Sequence, residues 1–192
     1  MRVSREKAAA NRERIIDAAS TLFRAKGFGG IGVSDIMEAA DLTHGGFYGH
    51  FDSKDDLVAQ ASQRAMARSA ATWSRIIAEA PDNRYAALLE HYLRPQHRDD
   101  PGKGCIFAAL SADAARCGKP VRSAFTEGLQ SLVGILEKAI PARSKAARRR
   151  KALAAMAQLV GALTLARAVD DPALSDELLA ASRRELLAAG QG

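Results

Sequence analysis

The chain has 192 residues, of which 47% are hydrophobic and 26% charged, so it can build a compact core and is not an intrinsically disordered chain. Two cysteines are too few for a disulfide framework, which indicates a reducing, cytoplasmic setting. Forty residues are Ala, whereas Val, Ile and Thr together number 21. Because Ala favours helices and the β-branched residues favour strands, the composition predicts an all-α protein.

The net charge of +6 does not by itself identify a partner. Residues 143–151 contain six basic and no acidic side chains, so this run alone equals the whole excess, and we interpret it as a solvated helix face. The N-terminus lacks the apolar core of a secretory signal. The longest apolar stretch, residues 152–169, contains Gln158 and Arg167 and is richer in Ala than in Leu. We therefore expect neither export nor a membrane-spanning helix.

Proline and glycine divide the sequence into segments with helical apolar spacing. The first segment, residues 5–26, places Ile15, Ala19 and Phe23 on one face and stops at Gly27, a predicted left-handed cap. Further helices are predicted over 33–40, 43–51, 53–80, 85–92, 105–116, 121–140, 144–169 and 172–188, with a polar loop over 95–104.

Residues 27–57 have the segment lengths of a helix-turn-helix unit, in which two short helices and a tight turn follow an amphipathic helix. Asp41 lies where the turn needs a left-handed backbone, which Asp tolerates better than most residues. Thr43 can then cap the second short helix. That helix contains three glycines, each costing about 1 kcal/mol relative to Ala, so it is expected to depend on its neighbours.

A set of residues in and before this region has a recognisable spacing: Ala18-Ala19, Leu22-Phe23, Lys26-Gly27-Phe28, Val33-Ser34-Asp35-Ile36, Ala39-Ala40-Asp41-Leu42-Thr43, Gly46-Phe47-Tyr48-Gly49-His50-Phe51 and Ser53-Lys54-Asp55-Asp56-Leu57. In these residues the sequence resembles the DNA-binding domain of the tetracycline-repressor (TetR) family. The resemblance implies an N-terminal three-helix DNA-binding domain over residues 1–52. It also implies a C-terminal helical ligand-binding and dimerisation domain over 53–192, and a homodimer closed by the last two helices.

The resemblance further implies that the helix over 43–51 enters the major groove of DNA. The expected DNA contacts are Ser34, Thr43, His44, Gly45, Gly46, Tyr48, His50 and Lys54. Lys54 would bind a phosphate from the start of the long helix, without being needed for the fold. Gly32 stands where the family usually has a capping Ser or Thr, a role that Ser34 could take instead. Phe47 and Phe51 are interpreted as core residues.

The middle helices carry the candidates for ligand contacts, because the resemblance implies a ligand cavity there. The candidate set is Trp73, Tyr85, His91, Tyr92, Cys105, Phe107 and Phe125. Most of these side chains are expected to belong to the ordinary core, with two or three touching a ligand. The polar residues His91, His97, Asp99 and Asp100 lack the spacing of a metal site, so no metal or other cofactor is expected.

Cys105 follows Gly102-Lys103-Gly104 and is predicted at a helix N-terminus. The helix dipole and Lys103 would both favour a thiolate there. Two interpretations stay open: a small buried apolar residue, or a thiol that reacts with electrophiles or oxidants, as in some members of the family.

The leading hypothesis is a ligand-responsive repressor that a small-molecule inducer releases from a palindromic double-stranded DNA operator. The alternatives are a repressor that senses electrophiles or oxidants through Cys105, a small helical enzyme, and a small helical interaction protein. An enzyme is the weaker hypothesis because the sequence lacks a nucleophile elbow, a zinc motif and a pair of catalytic carboxylates.

A homodimer is expected from the apolar residues of the last two predicted helices. These are Leu153, Met156, Leu159, Leu163, Leu174, Leu178 and Leu186. The set is larger than one small domain is expected to bury by itself. Ala157 and Gly161 would let two helices approach closely.

Overall fold

The computed structural model describes residues 5–191, and every regular element in that range is helical. The elements are α1 (Arg5–Lys26), α2 (Val33–Ala39), a 3₁₀ helix (His44–Gly49), α3 (Lys54–Glu79), α4 (Arg84–Tyr92), α5 (Pro95–Asp99), α6 (Ile106–Ala114), α7 (Lys119–Ala139), α8 (Lys145–Ala168) and α9 (Pro172–Gln191). The predicted all-α fold is confirmed.

The turns of the helix-turn-helix unit form where the sequence predicts them. Gly27 ends α1 with φ of 80°, and its N–H donates to the Phe23 carbonyl over 2.8 Å. Asp41 has φ of 51°, the one positive φ of a non-glycine residue within 5–191. At the start of α3, the Ser53 hydroxyl accepts the Asp56 N–H over 3.1 Å, which is an ordinary N-cap.

The second short helix differs from the prediction, because His44–Gly49 is a 3₁₀ helix and not an α-helix. Thr43 holds the N-cap position in extended backbone, but its side chain makes no capping hydrogen bond. Three glycines within six residues weaken the α-helical preference. Packing compensates, since Phe47 and Phe51 are 0% and 2% exposed, with ring centroids 5.6 Å apart. The interpretation of these two rings as core is confirmed.

The prediction of a continuous polar loop over 95–104 was wrong, because the structure has a short helix there. Pro95 is its first residue, and Arg94 precedes it in extended backbone. A proline suits the first turn of a helix, where its missing N–H costs nothing. As a result, α5 presents Gln96 and His97 beside α4.

The long helix α3 packs against α1, α4 and α7, so it joins the N-terminal unit to the rest of the molecule. In the other half of the chain, α8 packs against α7 and α9. Within residues 5–191, no helix combines the length and the apolarity that crossing a bilayer requires.

The apolar set expected to form a dimer surface is only partly exposed. Met156, Leu159, Leu163 and Leu186 are buried within the chain, contrary to the expectation that one subunit could not bury them. The reason is that α8 packs along both α7 and α9. The large apolar side chains exposed on these helices are Leu153, Leu165 and Leu174.

Candidate nucleic-acid interface and ligand cavity

Three of the predicted DNA contacts, Ser34, His44 and Tyr48, are exposed on the helix-turn-helix unit. Ser34 from α2 and His44 from the 3₁₀ helix meet there, with 3.1 Å between Oγ and Nδ1. Tyr48 is 74% exposed although the neighbouring Phe47 is fully buried. Because the 3₁₀ helix is short, burying Phe47 leaves the Tyr48 phenol as its most prominent exposed side chain.

The other predicted contacts around the 3₁₀ helix are small or half-buried. Thr43 and Gly45 are exposed, whereas Gly46 and His50 are partly buried. A Cβ atom added to Gly45 would meet no neighbour within 4 Å, so the chain leaves open space above the backbone at this point. Such space lets another molecule approach the main chain closely.

The start of α2 is capped by a residue that the sequence analysis overlooked. Gly32 is the N-cap and has no side chain, but the Asp35 carboxylate accepts the Gly32 N–H over 2.9 Å. Ser34 makes no capping bond; its hydroxyl pairs with His44 instead. The sequence signal was available, since an acidic residue three positions after a cap is half of a capping box.

Lys54 has partners that the sequence analysis did not foresee. Its ammonium donates to the Phe28 carbonyl over 2.8 Å and to the Ile31 carbonyl over 2.7 Å. Two of its three N–H donors thus hold the turn between α1 and α2, and the expectation that Lys54 is dispensable for the fold is corrected. The predicted phosphate contact can use the third donor and stays a prediction.

Two polar contacts join this N-terminal unit to the helices that follow α5. Arg24 of α1, 7% exposed, donates from Nε to the Ser20 carbonyl and from Nη1 to the Gly104 carbonyl, each over 2.9 Å. Burial lowers the pKa of Arg24 from its usual value, and the nearby charge of Arg68 adds to this effect. The Asp113 carboxylate of α6 accepts the Phe28 N–H over 3.2 Å.

A cavity of about 520 Å³ lies between α1, α3, α4 and α5. Its lining includes four of the seven predicted ligand residues: Trp73, His91, Tyr92 and Cys105. The Trp73 and Tyr92 rings meet edge to face, with centroids 5.8 Å apart. A volume of this size suits a small organic molecule.

The other three predicted ligand residues lie elsewhere. Phe107 and Phe125 pair edge to face beside a second, more open cavity of about 650 Å³ between α6 and α7. Tyr85 lines neither cavity and packs beside Gly190 of α9. Burial raises the pKa of the Tyr85 phenol to about 12. The seven predicted ligand residues are therefore divided between two cavities and the packed position of Tyr85.

Residues 15–61 match the family model described as bacterial regulatory proteins, tetR family. Residues 15–61 therefore form the N-terminal domain of the TetR family. The repressor NemR of Escherichia coli is 24% identical over 132 residues, which are 67% of this chain and 66% of NemR. The repressor DhaR of Mycobacterium sp. strain GP1 is 25% identical over 136 residues, 67% of this chain and 65% of DhaR. The chain thus aligns with just under two thirds of the length of these relatives.

Solved structures show the same fold over nearly the whole chain. The reduced form of E. coli NemR superposes with a TM-score of 0.76 at 21% identity, covering 92% of this chain and 95% of NemR. A TetR-family regulator from Cytophaga hutchinsonii gives 0.75 at 23% identity and covers 98% of both chains. The TetR fold therefore extends well beyond the 47 residues of the family model.

His97 is a polar residue of the cavity beside Cys105 that the sequence analysis discussed only as a weak metal ligand. Its Nδ1–H donates to the Tyr92 carbonyl over 2.7 Å, and its Nε2 accepts the Cys105 N–H over 2.9 Å. Both ring nitrogens are occupied, and the ring is a neutral tautomer. Burial lowers the pKa of His97 to about 4. Within residues 5–191, no three His, Cys, Asp or Glu side chains are grouped to hold a metal ion.

Cys105 is the N-cap of α6 and is 4% exposed. The predicted help from Lys103 is not seen, because its ammonium pairs with the Asp100 carboxylate over 3.0 Å and its side chain is largely solvated. Arg24 and Arg167 are the cations that interact electrostatically with the Cys105 thiol. The Tyr92 hydroxyl also lies near the Cys105 thiol. Burial raises the pKa of Tyr92 well above its usual value, and the Cys105 thiol raises it further.

Proposed function

We propose that the protein is a dimeric, ligand-responsive repressor that binds a palindromic duplex and is released by a small molecule in the cavity beside Cys105. The supporting observation is that two helices serve both sites. Helix α1 contributes Arg24 to the cavity and belongs to the DNA-binding unit, and α3 begins at Lys54 beside that unit and contributes Arg68 and Trp73 to the cavity. A molecule in the cavity therefore contacts the helices that position the DNA-reading surface.

The proposed division of labour follows the domain boundary at residues 52 and 53. The N-terminal part carries the DNA contacts Ser34, Thr43, His44, Gly45, Gly46, Tyr48 and His50, with Lys54 at the border. Direct base readout would fall on few side chains, because three positions of the 3₁₀ helix are glycines. The shape of the DNA would then contribute to specificity.

The dimer surface is proposed on the outer faces of α8 and α9. Leu153, Ala157, Gly161 and Leu165 recur every four residues on α8, and all are exposed or partly exposed. A Cβ atom on Gly161 would meet nothing within 4 Å. Small residues between exposed leucines allow a second helix to approach closely. Leu174 of α9 extends this apolar face.

The test is the operator affinity of a Tyr48→Ala variant. The probe is a fluorescent palindromic duplex selected from a random library with the wild-type protein. We expect about tenfold weaker binding, equivalent to about 1.4 kcal/mol, through the loss of a phosphate contact. Thermal unfolding should not change, since the side chain is exposed.

Tyr48→Phe is the matched variant, because it keeps the ring and removes only the hydroxyl. A loss shared by both variants assigns the contact to the phenol oxygen. Wild-type affinity in Tyr48→Ala would remove Tyr48 from the DNA-reading surface. Failure of the wild-type protein to enrich any duplex would reject the repressor function.

A second candidate mechanism is release through covalent modification of Cys105. The observation that favours it is that this thiol lines the cavity while α6, which it caps, ends next to Asp113 and its bond to the Phe28 N–H. An adduct would therefore strain a helix that contacts the DNA-binding unit. NemR, whose solved structure is described as a reduced form, is a relative of the same fold.

The experiment titrates the protein–operator complex with N-ethylmaleimide. The sulfur adds to one alkene carbon, and the thiol proton ends on the other. We expect wild type and Cys117→Ser to lose the operator, whereas Cys105→Ser should retain it. Equal loss in wild type and Cys105→Ser, or no loss in wild type, would leave reversible ligand binding as the mechanism of release.

A further inference from the structure

The lining of the cavity beside Cys105 is strongly cationic. Arg24 comes from α1, Arg68 from α3, Arg94 from the cap of α5, and Lys103 from the segment before α6. Asp100 is the one carboxylate among the lining residues, and Lys103 pairs with it. These cations come from four separate elements and line one half-open cavity, in which Arg24 is buried, Arg94 is exposed and Lys103 is largely solvated.

The histidines of the lining do not add to this charge, and they do not offset it. Burial lowers the pKa of His91 and of His97, and the positive charge of Arg94 lowers both further. Four cationic side chains and one carboxylate give the lining itself a formal net charge of +3, and Asp17, which lies outside the lining, pairs with Arg68. The charge of Arg68 lowers the pKa of Arg24, so these two cations repel one another and an anion near them is favoured.

Several donors of the cavity are available to a ligand. The Arg94 guanidinium is exposed and has no hydrogen-bond or ion-pair partner among residues 5–191. The Arg68 guanidinium forms an ion pair with the Asp17 carboxylate over 2.9 Å, and about half of the Arg68 side chain is exposed to solvent. The Tyr92 hydroxyl is buried and makes no hydrogen bond to an oxygen or nitrogen atom in the described part of the chain, although the Cys105 thiol lies beside it, which is unusual for a phenol. Trp73 and Leu132 supply apolar surface in the same lining.

We infer that the ligand of this cavity is a small organic acid, bound as its carboxylate by Arg94 and Arg68 with its apolar body against Trp73. A guanidinium holds a carboxylate through two parallel N–H···O bonds, which a neutral amide of the same shape cannot reproduce. The inference deepens the proposed function and rests on it, since it gives the chemical class of the releasing molecule.

The same charge would connect the acid to the DNA-binding unit. One guanidinium nitrogen of Arg24 donates a hydrogen bond to the Gly104 carbonyl. A carboxylate is a stronger acceptor than a carbonyl. An acid within reach of Arg24 therefore competes for the bond that ties α1 to the segment before α6.

The experiment measures direct binding to the purified full chain without DNA. Trp73 is the single tryptophan of the sequence and lines the cavity, so its fluorescence reports occupancy. The probes are acetate, benzoate, salicylate, 2-naphthoate and 4-phenylbutyrate, with benzamide and 2-naphthamide as neutral counterparts. We expect saturable changes with at least one aromatic acid, at an affinity ten or more times that of its amide, and weaker binding as salt increases.

Arg94→Gln removes the free guanidinium and should weaken binding of the acid about tenfold. Arg150→Gln is the matched control, because Arg150 is an exposed arginine of α8 outside the cavity, and it should bind like wild type. Equal affinity for acid and amide, equal loss in both variants, or no saturable change with any of the acids would overturn the inference.

Operator binding is measured separately with the selected duplex. Acid binding by a protein that selects no duplex would leave the anion site standing and reject the repressor function. Operator binding by a protein that binds none of the acids would support the repressor function and reject the anion site.

Discussion

Replacing Lys54 by Met should lower the free energy of unfolding by about 2–4 kcal/mol. The substitution keeps an apolar stem but removes the ammonium that donates to the Phe28 and Ile31 carbonyls. Hydrogen bonds from a charged donor contribute about 1.5–3 kcal/mol each, and partly buried carbonyls left without a donor lose the most. Partial solvent access at this site limits the sum. Urea denaturation, with midpoint and slope fitted together, measures the change.

Lys26→Met is the matched control, since it removes one positive charge from an exposed side chain of the same unit. We expect it to cost only a few tenths of a kcal/mol, because Lys26 lies in the last turn of α1 and interacts weakly with the helix dipole. If Lys54→Met is as stable as Lys26→Met while its operator binding loses about one ion of salt dependence, Lys54 acts on phosphates and not on the turn.

Local signals explain why the helix-turn-helix unit could be predicted from the sequence. Gly27, Asp41 and Ser53 determine the ends of helices through their own backbone preferences or through a bond three residues away. The choice of a 3₁₀ helix over an α-helix was not predictable in the same way. It accompanies the burial of Phe47 and Phe51 beneath the segment, where the Arg12 guanidinium of α1 also lies 5.1 Å from the centroid of the Phe51 ring.

The lining of the cavity could be predicted from the sequence only in part. Aromatic residues were chosen as ligand contacts because of their type, and the structure separates Phe107 and Phe125 from the other candidates. The arginines of the lining were missed, since positions 24, 68 and 94 carry no common motif and meet only through the packing of α1, α3 and α5. The bond between Arg24 and Gly104 spans 80 residues, beyond any periodicity.

Acidification should destabilise the protein by about 2 kcal/mol between pH 7.5 and pH 5, with His97 as a main cause. The folded chain holds His97 neutral, with Nδ1–H on the Tyr92 carbonyl and Nε2 accepting the Cys105 N–H. Burial lowers its pKa from 6.5 to about 4, and the charges of Arg167, His91 and Arg94 act in the same direction. Between pH 6.5 and pH 4, the unfolded chain therefore binds a proton at His97, whereas the folded chain does not. This stability is complete above pH 6.5 and is lost as the pH falls towards 4.

The size of the loss follows from the proton linkage, because each pH unit between the two pKa values costs about 1.4 kcal/mol. His91 adds a loss of the same sign, since its pKa is also lowered. A His97→Gln variant isolates the contribution of His97: an amide side chain has a donor and an acceptor but does not titrate. We expect it to be less stable than wild type at pH 7.5 and to lose less on acidification.

Urea denaturation at both pH values measures these changes, with His44→Gln as the control that removes an exposed histidine from the helix-turn-helix unit. Protonation of His97 would also break the bond that its Nε2 accepts from the Cys105 N–H. Trp73, in the lining of the same cavity, should report this as a change in fluorescence. If His97→Gln keeps the full wild-type loss between pH 7.5 and pH 5, the proton enters elsewhere and the neutral tautomer contributes nothing to the stability of the fold.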